Sequence, residues 1–130
     1  MTRITQQNSW SCLACCAAMV TGEPLRRVVA DVGHDGGQVV ENSRYPDGRR
    51  GFTLCEIVRY LAGRGFILGV PLDQTVSITD PAILIVQGRK YKHAVLWTGL
   101  DVLDPNPTAP DNRQPMDYQI LQWWPVVRVI

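Results

Sequence analysis

The residues best suited to chemistry in this sequence form a cluster of cysteines near its start, Cys12, Cys15 and Cys16. Residues 6–20 read QQNSWSCLACCAAMV, a run that begins polar and becomes small and apolar with helical character. Ser11 is a favourable N-cap, which would place Cys12 in the first turn of a helix. The unpaired N–H groups and the dipole of that turn favour a thiolate. Such a cysteine can be a nucleophile, a redox centre, a metal ligand or a small core residue.

A nucleophilic cysteine requires a histidine that takes up its proton, and the chain has two histidines, His34 and His93. His34 lies in a glycine-rich segment and is expected to be an exposed loop residue. His93 begins HAVLWTG, the strongest strand pattern of the sequence. The Thr-Gly pair that follows is a turn signal, so the returning strand brings Asp104 within side-chain reach of His93. A carboxylate in that place can hold the imidazole in the orientation that catalysis needs.

A donor for the oxyanion of the reaction is the remaining part, and Gln6 can supply it. Gln6 lies six residues before Cys12, so its side-chain amide can point to the same place as the Cys12 backbone N–H. Two such donors form an oxyanion hole, and each is typically worth ~3 kcal/mol of transition-state stabilisation. Gln7 is the neighbour that could replace it, and an ordinary solvated glutamine is the alternative for both.

Other uses of the cysteines stay open. Cys12 and Cys15 form a C-x-x-C motif at a helix start, as in thioredoxin-like redox proteins, although no hydrophobic strand precedes it. A zinc site has no second C-x-x-C or H-x-x-H pair to complete its ligands, so we predict no metal and no cofactor. Cys15 and Cys16 fit a core role on the first helix, and Cys55 is a core candidate on a later one.

The elements that must position these residues follow from periodicity, caps and turn residues. Helices are predicted over residues 11–21, 24–32 and 53–62, the last opened by a Thr53–Glu56 capping box. A long loop over residues 33–51 separates the second helix from the third, and loops of this length are often functional. Short strands are predicted at residues 66–72, 83–87, 92–98, 102–104 and 126–130, and a short helix at 118–124.

Helices that precede strands indicate an α+β fold, with N-terminal helices packed on a C-terminal antiparallel sheet. The 130 residues suffice for one domain with a real core. A formal net charge of +1 gives no indication of nucleic acid as a partner. The sequence has no membrane-span pattern and no signal-peptide pattern at its start, and its cysteines fit free thiols, so we expect a cytoplasmic location.

Several of these segments together resemble the C39-like branch of the papain-like cysteine peptidases. The segments are Gln6, the helix CLACCAAMV that starts at Cys12, GFTLCEIVRYLAGRGF, and HAVLWTGLDVLDPNP. In that family a glutamine lies six residues before the catalytic cysteine, the histidine opens a strand that ends in Thr-Gly, and the orienting aspartate precedes a proline. Residues 33–50 and the C-terminal segment lie outside the resemblance.

The resemblance implies a papain-like fold with Cys12 as nucleophile, His93 as base, Asp104 as orienting residue and Gln6 as oxyanion donor. It implies hydrolysis of a peptide or isopeptide bond, with a protein or peptide as substrate and a partner protein or larger assembly as a further option. Leu13 stands where the family commonly has glycine, and Ser11 where it often has aspartate. The alternatives are a redox protein and a papain-like domain kept only for binding.

Overall fold

The computed structural model describes residues 1–41, 45–69 and 80–129. Within these ranges the chain forms three α-helices and a five-stranded antiparallel sheet, which confirms the α+β class. The helices are α1 (Cys12–Thr21), α2 (Leu25–Val32) and α3 (Leu54–Ala62). The strands are β1 (Phe66–Leu68), β2 (Ala82–Gln87), β3 (Lys92–Trp97), β4 (Val102–Leu103) and β5 (Ile120–Arg128).

The sheet has the order β1-β5-β2-β3-β4, so the last strand of the chain lies in its interior. β2 and β3 form a hairpin in which Gln87 pairs with Lys92 and Val86 with His93. β3 and β4 form a second hairpin in which Leu96 pairs with Leu103. Two consecutive tight hairpins therefore carry both residues of the predicted histidine–aspartate pair.

The first helix is the centre of the core because its side chains are small and uncharged on every side. Its residues 14–18, Ala-Cys-Cys-Ala-Ala, have no exposed surface at all. Small side chains let neighbouring backbones approach closely, and α1 packs against α2, α3 and β3. Cys15 and Cys16 are therefore packing residues, as predicted. Leu13, the residue beside the predicted nucleophile, is also in the core and is 9% exposed.

Successive side chains of each strand point to opposite faces of the sheet, so they pack into two separate hydrophobic clusters, one on each face. Ile83, Ala94 and Leu96 join the cluster of α1. Leu84 and Val95 join a second cluster, together with three residues two positions away from them along the same strands: Ala82, Val86 and Trp97. Trp123 is fully buried in this second cluster, which makes it a core residue rather than part of a partner surface.

Two predictions about the elements are wrong. Residues 118–124 are not a helix, because this segment enters β5, which pairs with β2 along most of its length. Backbone pairing inside a sheet has overridden the local preference of the sequence here. Cys55 is exposed rather than buried, because it lies on the outer side of α3 while Ile57 and Leu61 face the core.

The other boundaries agree with the predicted ones to within a few residues, as is usual for element ends. Of the predicted strand 66–72, residues 70–72 lie outside the described residues, and so does residue 130 of the last predicted strand. None of the helices in the described ranges is long and apolar enough to cross a membrane.

The capping box of α3 gives a direct test of these elements. The Thr53 hydroxyl accepts from the Glu56 N–H at 3.2 Å, and the Glu56 carboxylate accepts from the Thr53 N–H at 2.9 Å. Thr53→Ala removes the first bond and should lower the free energy of unfolding by about 1 kcal/mol in urea titrations. Thr53→Ser keeps the hydroxyl and should retain most of that stability, so equal losses in both variants would contradict the capping role.

Candidate active site

The predicted pairing of His93 with Asp104 is present in the structure. Continuing the β3–β4 register by one residue places Asp104 opposite Val95, one diagonal position from His93. From there the Asp104 Oδ1 atom lies 2.7 Å from the His93 Nε2 atom. Since Nε2 is engaged with the carboxylate, the other ring nitrogen, Nδ1, is the one left for a proton acceptor or donor on the opposite side of the ring.

Asp104 is almost completely buried, with 5% of its surface exposed. Its Oδ2 atom accepts from the Tyr118 hydroxyl at 2.7 Å, and Oδ1 also accepts from the Asn106 backbone N–H at 2.8 Å. Burial opposes ionisation, but the bonds from His93, Tyr118 and Asn106 outweigh it and lower the pKa of Asp104. The carboxylate is therefore ionised and fixed in direction.

A second set of bonds ties the start of the chain to the segment that follows Asp104. The Arg3 guanidinium donates to the carbonyl oxygens of Asp104 at 2.7 Å and Asn106 at 2.6 Å, and it pairs with the Asp111 carboxylate at 2.8 Å. The Gln6 N–H donates to the Pro105 carbonyl at 2.7 Å. These contacts hold residues 3–6 beside Asp104 and so set where the chain enters α1.

Cys12 and His93 interact across the junction between α1 and β3. Burial alone would lower the pKa of His93, but its bonds with Asp104 and Cys12, together with the charge of both partners, raise that pKa to about 9. The Cys12 side chain is partly exposed, whereas its neighbours along α1 are buried. At neutral pH the imidazole is therefore protonated, and the partly exposed Cys12 is one of its partners.

The start of α1 leaves backbone donors free for a substrate. Ser11 occupies the N-cap position, but its side chain makes no capping hydrogen bond, contrary to the predicted capping role. Cys12 is the first residue of the helix, where the backbone N–H has no carbonyl partner within the helix. The Gln6 side-chain amide donates an N–H to the Asn8 carbonyl at 2.7 Å, and an amide nitrogen of this kind carries a second N–H.

Cys15 and Cys16 have surroundings unlike those of Cys12. Burial and the charge of Cys12 raise the pKa of the Cys15 thiol to about 12, and burial, together with the charge of Cys12, also raises the pKa of the Cys16 thiol well above its ordinary value. Both thiols therefore stay protonated and unreactive at neutral pH. A strand that leads into the C-x-x-C motif, which a thioredoxin-like fold needs, does not occur among the described residues before Cys12.

A surface groove runs past Cys12 and His93 and consists of two lobes. The lobes share the lining residues Ser9, Pro46, Lys90, Tyr91 and Lys92. The histidine lobe has a volume of about 600 Å³ and includes Gln6, His93 and Asn106. The cysteine lobe has a volume of about 590 Å³ and includes Trp10, Cys12, Tyr45 and Phe52. Leu13 lines neither lobe, so this departure from the family pattern does not narrow the groove.

Trp10 forms one wall of the cysteine lobe and is held there by the predicted long loop. Its Nε1 donates to the Asp35 carbonyl at 3.2 Å, and the Arg49 guanidinium lies 5.5 Å from the centre of its ring. Gly36 has a φ of +78°, and a Cβ atom there would come within 2.9 Å of the indole. Only glycine allows this close approach of the loop to Trp10. The prediction that this loop and Trp10 border a groove is consistent with the structure.

His34 is not the exposed loop residue that was predicted. Its ring stacks on Phe52 with 5.0 Å between centroids, and its Nδ1 accepts the Gly36 N–H at 2.9 Å. Its Nε2 lies 2.5 Å from the Glu56 carboxylate and 2.6 Å from the Arg50 guanidinium. Burial opposes ionisation of Glu56, but the bonds from the N-cap backbone, His34 and Arg50 lower its pKa to about 2. His34 thus supports the loop and takes no part in the Cys12 site.

Comparisons with known proteins add no assignment to this geometry. A scan against models of protein families finds no match for the chain, and a search of curated proteins finds no relative. Within residues 1–41, 45–69 and 80–129, no three or more His, Cys, Asp or Glu side chains are grouped so as to hold a metal ion.

Sequence reasoning missed two residues of the site, Tyr118 and Arg3. Both act on the segment that contains Asp104, from positions far away along the chain. No motif marks either of them, because their contacts depend on how the irregular segment between β4 and β5 folds back. The only signal was compositional: a buried carboxylate needs several donors, and a tyrosine hydroxyl and an arginine are suitable ones.

The interaction of Cys12 with His93 can be measured by histidine titration. Cys12→Ala removes one of the partners that raise the His93 pKa, so this pKa should fall from about 9 toward the ordinary value. Protonated His93 stabilises the fold fully below pH ~6.5, and this contribution is lost as the pH rises through about 9. NMR titration of the His93 ring gives the pKa directly. Cys55→Ala is the matched control, and an unchanged pKa in Cys12→Ala would contradict the interaction.

The role of Tyr118 can be tested with Tyr118→Phe, which keeps the ring and removes the donor to Asp104. Loss of this hydrogen bond to the buried carboxylate should lower the free energy of unfolding by about 1–3 kcal/mol at pH 7. Because the depressed Asp104 pKa stabilises the fold only above the unfolded value of ~3.9, this difference should shrink as the pH falls and the carboxyl is protonated. Tyr45→Phe should change stability by less than ~0.5 kcal/mol. A constant difference down to acid pH would contradict the role.

Proposed function

We propose that this chain is a cysteine hydrolase with a papain-like fold, which cleaves peptide or isopeptide bonds through Cys12, His93 and Asp104. The observation that carries the proposal is the arrangement of His93. Its Nε2 is bound to a buried carboxylate at 2.7 Å, and Cys12 contributes to raising its pKa to about 9. A purely structural histidine does not require a partly exposed cysteine at a helix N-terminus as its second partner.

In the first step the Cys12 sulfur attacks the carbonyl carbon of the scissile bond. The negative charge on the carbonyl oxygen is stabilised by the Cys12 N–H and by the free N–H of the Gln6 amide. His93 then donates its proton to the leaving amine as the C–N bond breaks, which leaves a thioester on Cys12. Asp104 keeps the imidazole in one orientation throughout and stabilises its charged form.

In the second step neutral His93 accepts a proton from water, and the resulting hydroxide attacks the thioester. The C–S bond breaks, a carboxylic acid is released, and the thiolate–imidazolium pair is restored. An amine in place of water would give acyl transfer with the same groups. Hydrolysis of a peptide or isopeptide bond is the reaction proposed, because the partly exposed sulfur lies in an open groove with room for water and for an extended chain.

The fold supports a papain-like assignment at the level of arrangement. A central helix carries the cysteine at its first position, and the antiparallel sheet packed on that helix carries the histidine and the aspartate. The order Gln6, Cys12, His93, Asp104 along the chain is that of the C39-like motifs the sequence resembles. The buried, protonated Cys15 favours this assignment over thiol–disulfide exchange through Cys12 and Cys15.

Selective alkylation tests the proposal within the intact protein, because Cys55 provides an internal control. Cys55 is exposed, whereas Cys12 is only partly exposed, so accessibility alone favours labelling of Cys55. At pH 6 an ordinary thiol is almost entirely protonated and reacts slowly. Iodoacetamide at pH 6 should therefore label Cys12 at least ~10-fold faster than Cys55 when labelled peptides are mapped by mass spectrometry.

The variant His93→Ala should abolish this preference, and Cys12→Ala should abolish cleavage of a peptide library. Equal or faster labelling of Cys55 would overturn the proposal. Selective labelling of Cys12 without any cleavage would indicate a catalytically silent domain kept for binding. Reversible formation of a Cys12–Cys15 disulfide under mild oxidant, again without cleavage, would favour the redox alternative.

A further inference from the structure

A cationic hairpin tip lies directly beside His93. Between β2 and β3 the chain turns in the four residues Gly88-Arg89-Lys90-Tyr91, and the Gly88 N–H donates to the Tyr91 carbonyl at 2.9 Å. A Cβ atom on Gly88 would come within 2.5 Å of that oxygen, so this tight turn requires glycine. The turn holds the side chains of Arg89, Lys90 and Lys92, here named the basic tip, at the edge of the groove.

The basic tip gives the groove a single sign of charge. All three of its residues are exposed, and all three line the histidine lobe. None of the described residues that line either lobe is an aspartate or a glutamate. Two carboxylates lie next to lining residues and are already bound: Asp47 by the Ser9 hydroxyl, and Asp104 by His93 and Tyr118. The charge of the tip is therefore not neutralised by the lining of the groove.

The two lobes correspond to the two sides of the scissile bond. In the proposed reaction the acyl group becomes attached to Cys12, and the leaving amine receives its proton from His93. The cysteine lobe includes Cys12 and aromatic side chains, whereas the histidine lobe includes His93. Arg89 lines the histidine lobe alone, while Lys90 and Lys92 border both. Arg50 lines the cysteine lobe alone, but its guanidinium is paired with the Glu56 carboxylate at 3.2 Å. The positive charge that has no carboxylate partner among the described residues therefore extends farther along the amine side.

We propose, resting on the proposed function, that the substrates are peptides with carboxylate groups on the amine side of the scissile bond. A groove lined by charges of one sign attracts ligands of the opposite sign and accelerates their encounter. The carboxylates belong either to Asp and Glu side chains or to a nearby free C-terminus, and both would contact the basic tip. Aromatic residues Trp10, Tyr45 and Phe52 provide an apolar surface for the acyl side.

A peptide fits these observations better than a nucleic acid. Of the arginines and lysines that line the groove, Arg50 is paired with Glu56, so the remaining positive charge is that of the short basic tip, in a chain with a formal net charge of +1. Proteins that follow a nucleic-acid backbone present a longer basic track, because the phosphate charges repeat along the strand. The tip also lies within the groove of a nucleophilic cysteine, where an amide bond would be attacked.

Binding and cleavage are tested separately, with decapeptide pools that differ only in positions 6–10. One pool has Asp and Glu there, a second has Asn and Gln, and a third has Lys and Arg, each with amidated and free C-termini. Fluorescence anisotropy with Cys12→Ala should show the acidic pool binding at least ~10-fold more tightly than the neutral pool at low salt, with a smaller difference at high salt. The native protein should cleave the acidic pool fastest, on the amino side of the acidic positions.

Reversing the charge of the basic tip tests whether these residues cause the preference for acidic peptides. Arg89→Glu combined with Lys90→Glu should remove the ~10-fold preference or invert it. Arg26→Glu combined with Arg27→Glu is the matched control, because it changes the net charge equally on α2, away from the groove, and should keep the preference. Preference only for pools with a free C-terminus would assign the carboxylate to the chain end, and equal preference for both would assign it to side chains.

Three outcomes would overturn the inference. The first is equal binding of the acidic and neutral pools whether their C-termini are free or amidated, with no difference between the two C-terminal forms. The second is a preference that survives reversal of the basic tip. The third is tighter binding of a ten-residue oligothymidylate than of the acidic pool. Selective Cys12 alkylation with no acidic preference would leave the proposed function standing without this substrate class. Binding of the acidic pool without selective alkylation of Cys12 would leave the acidic ligand class standing without the proposed hydrolase, and it would fit a binding domain.

Discussion

The arrangement of the whole site depends on one carboxylate that stays ionised while almost completely buried. An isolated charge in the interior costs several kcal/mol, so Asp104 requires donors from several directions. They come from three separate parts of the chain: β3 supplies His93, the loop after β4 supplies the Asn106 N–H, and the segment before β5 supplies Tyr118. Folding of these parts and ionisation of Asp104 therefore require each other. The imidazole is oriented as a consequence of that requirement.

The parts of the site that could be predicted from the sequence are those controlled by local geometry. The turn at Thr98-Gly99 sets the register of β3 and β4, and this register alone brings Asp104 within hydrogen-bonding distance of His93. The position of Cys12 follows from the start of an apolar helix, and that of α3 from its capping box. In each case a few consecutive residues determine the local structure, so the pattern of those residues predicts it without knowledge of the rest of the chain.

The errors have a common physical origin in contacts between distant segments. Residues 120–124 extend because β2 offers them a backbone partner, and His34 is sheltered because Phe52 and Glu56 approach it from α3 and its N-terminal side. Cys55 is exposed because α3 turns the neighbouring positions to the core. The partners in the first two cases lie far apart along the chain, so no local pattern could indicate them.

The turn closed by Gly88 and Tyr91 has an implication for how this protein can be modified by evolution or design. The turn is closed by its own backbone bond, and its cationic side chains are exposed, so they contribute nothing to the core clusters. Substitutions at positions 89 and 90 can therefore accumulate without disturbing the packing of the fold. The charge at the edge of the groove can change while the core stays the same, and a designer can exchange the two-residue segment as a module.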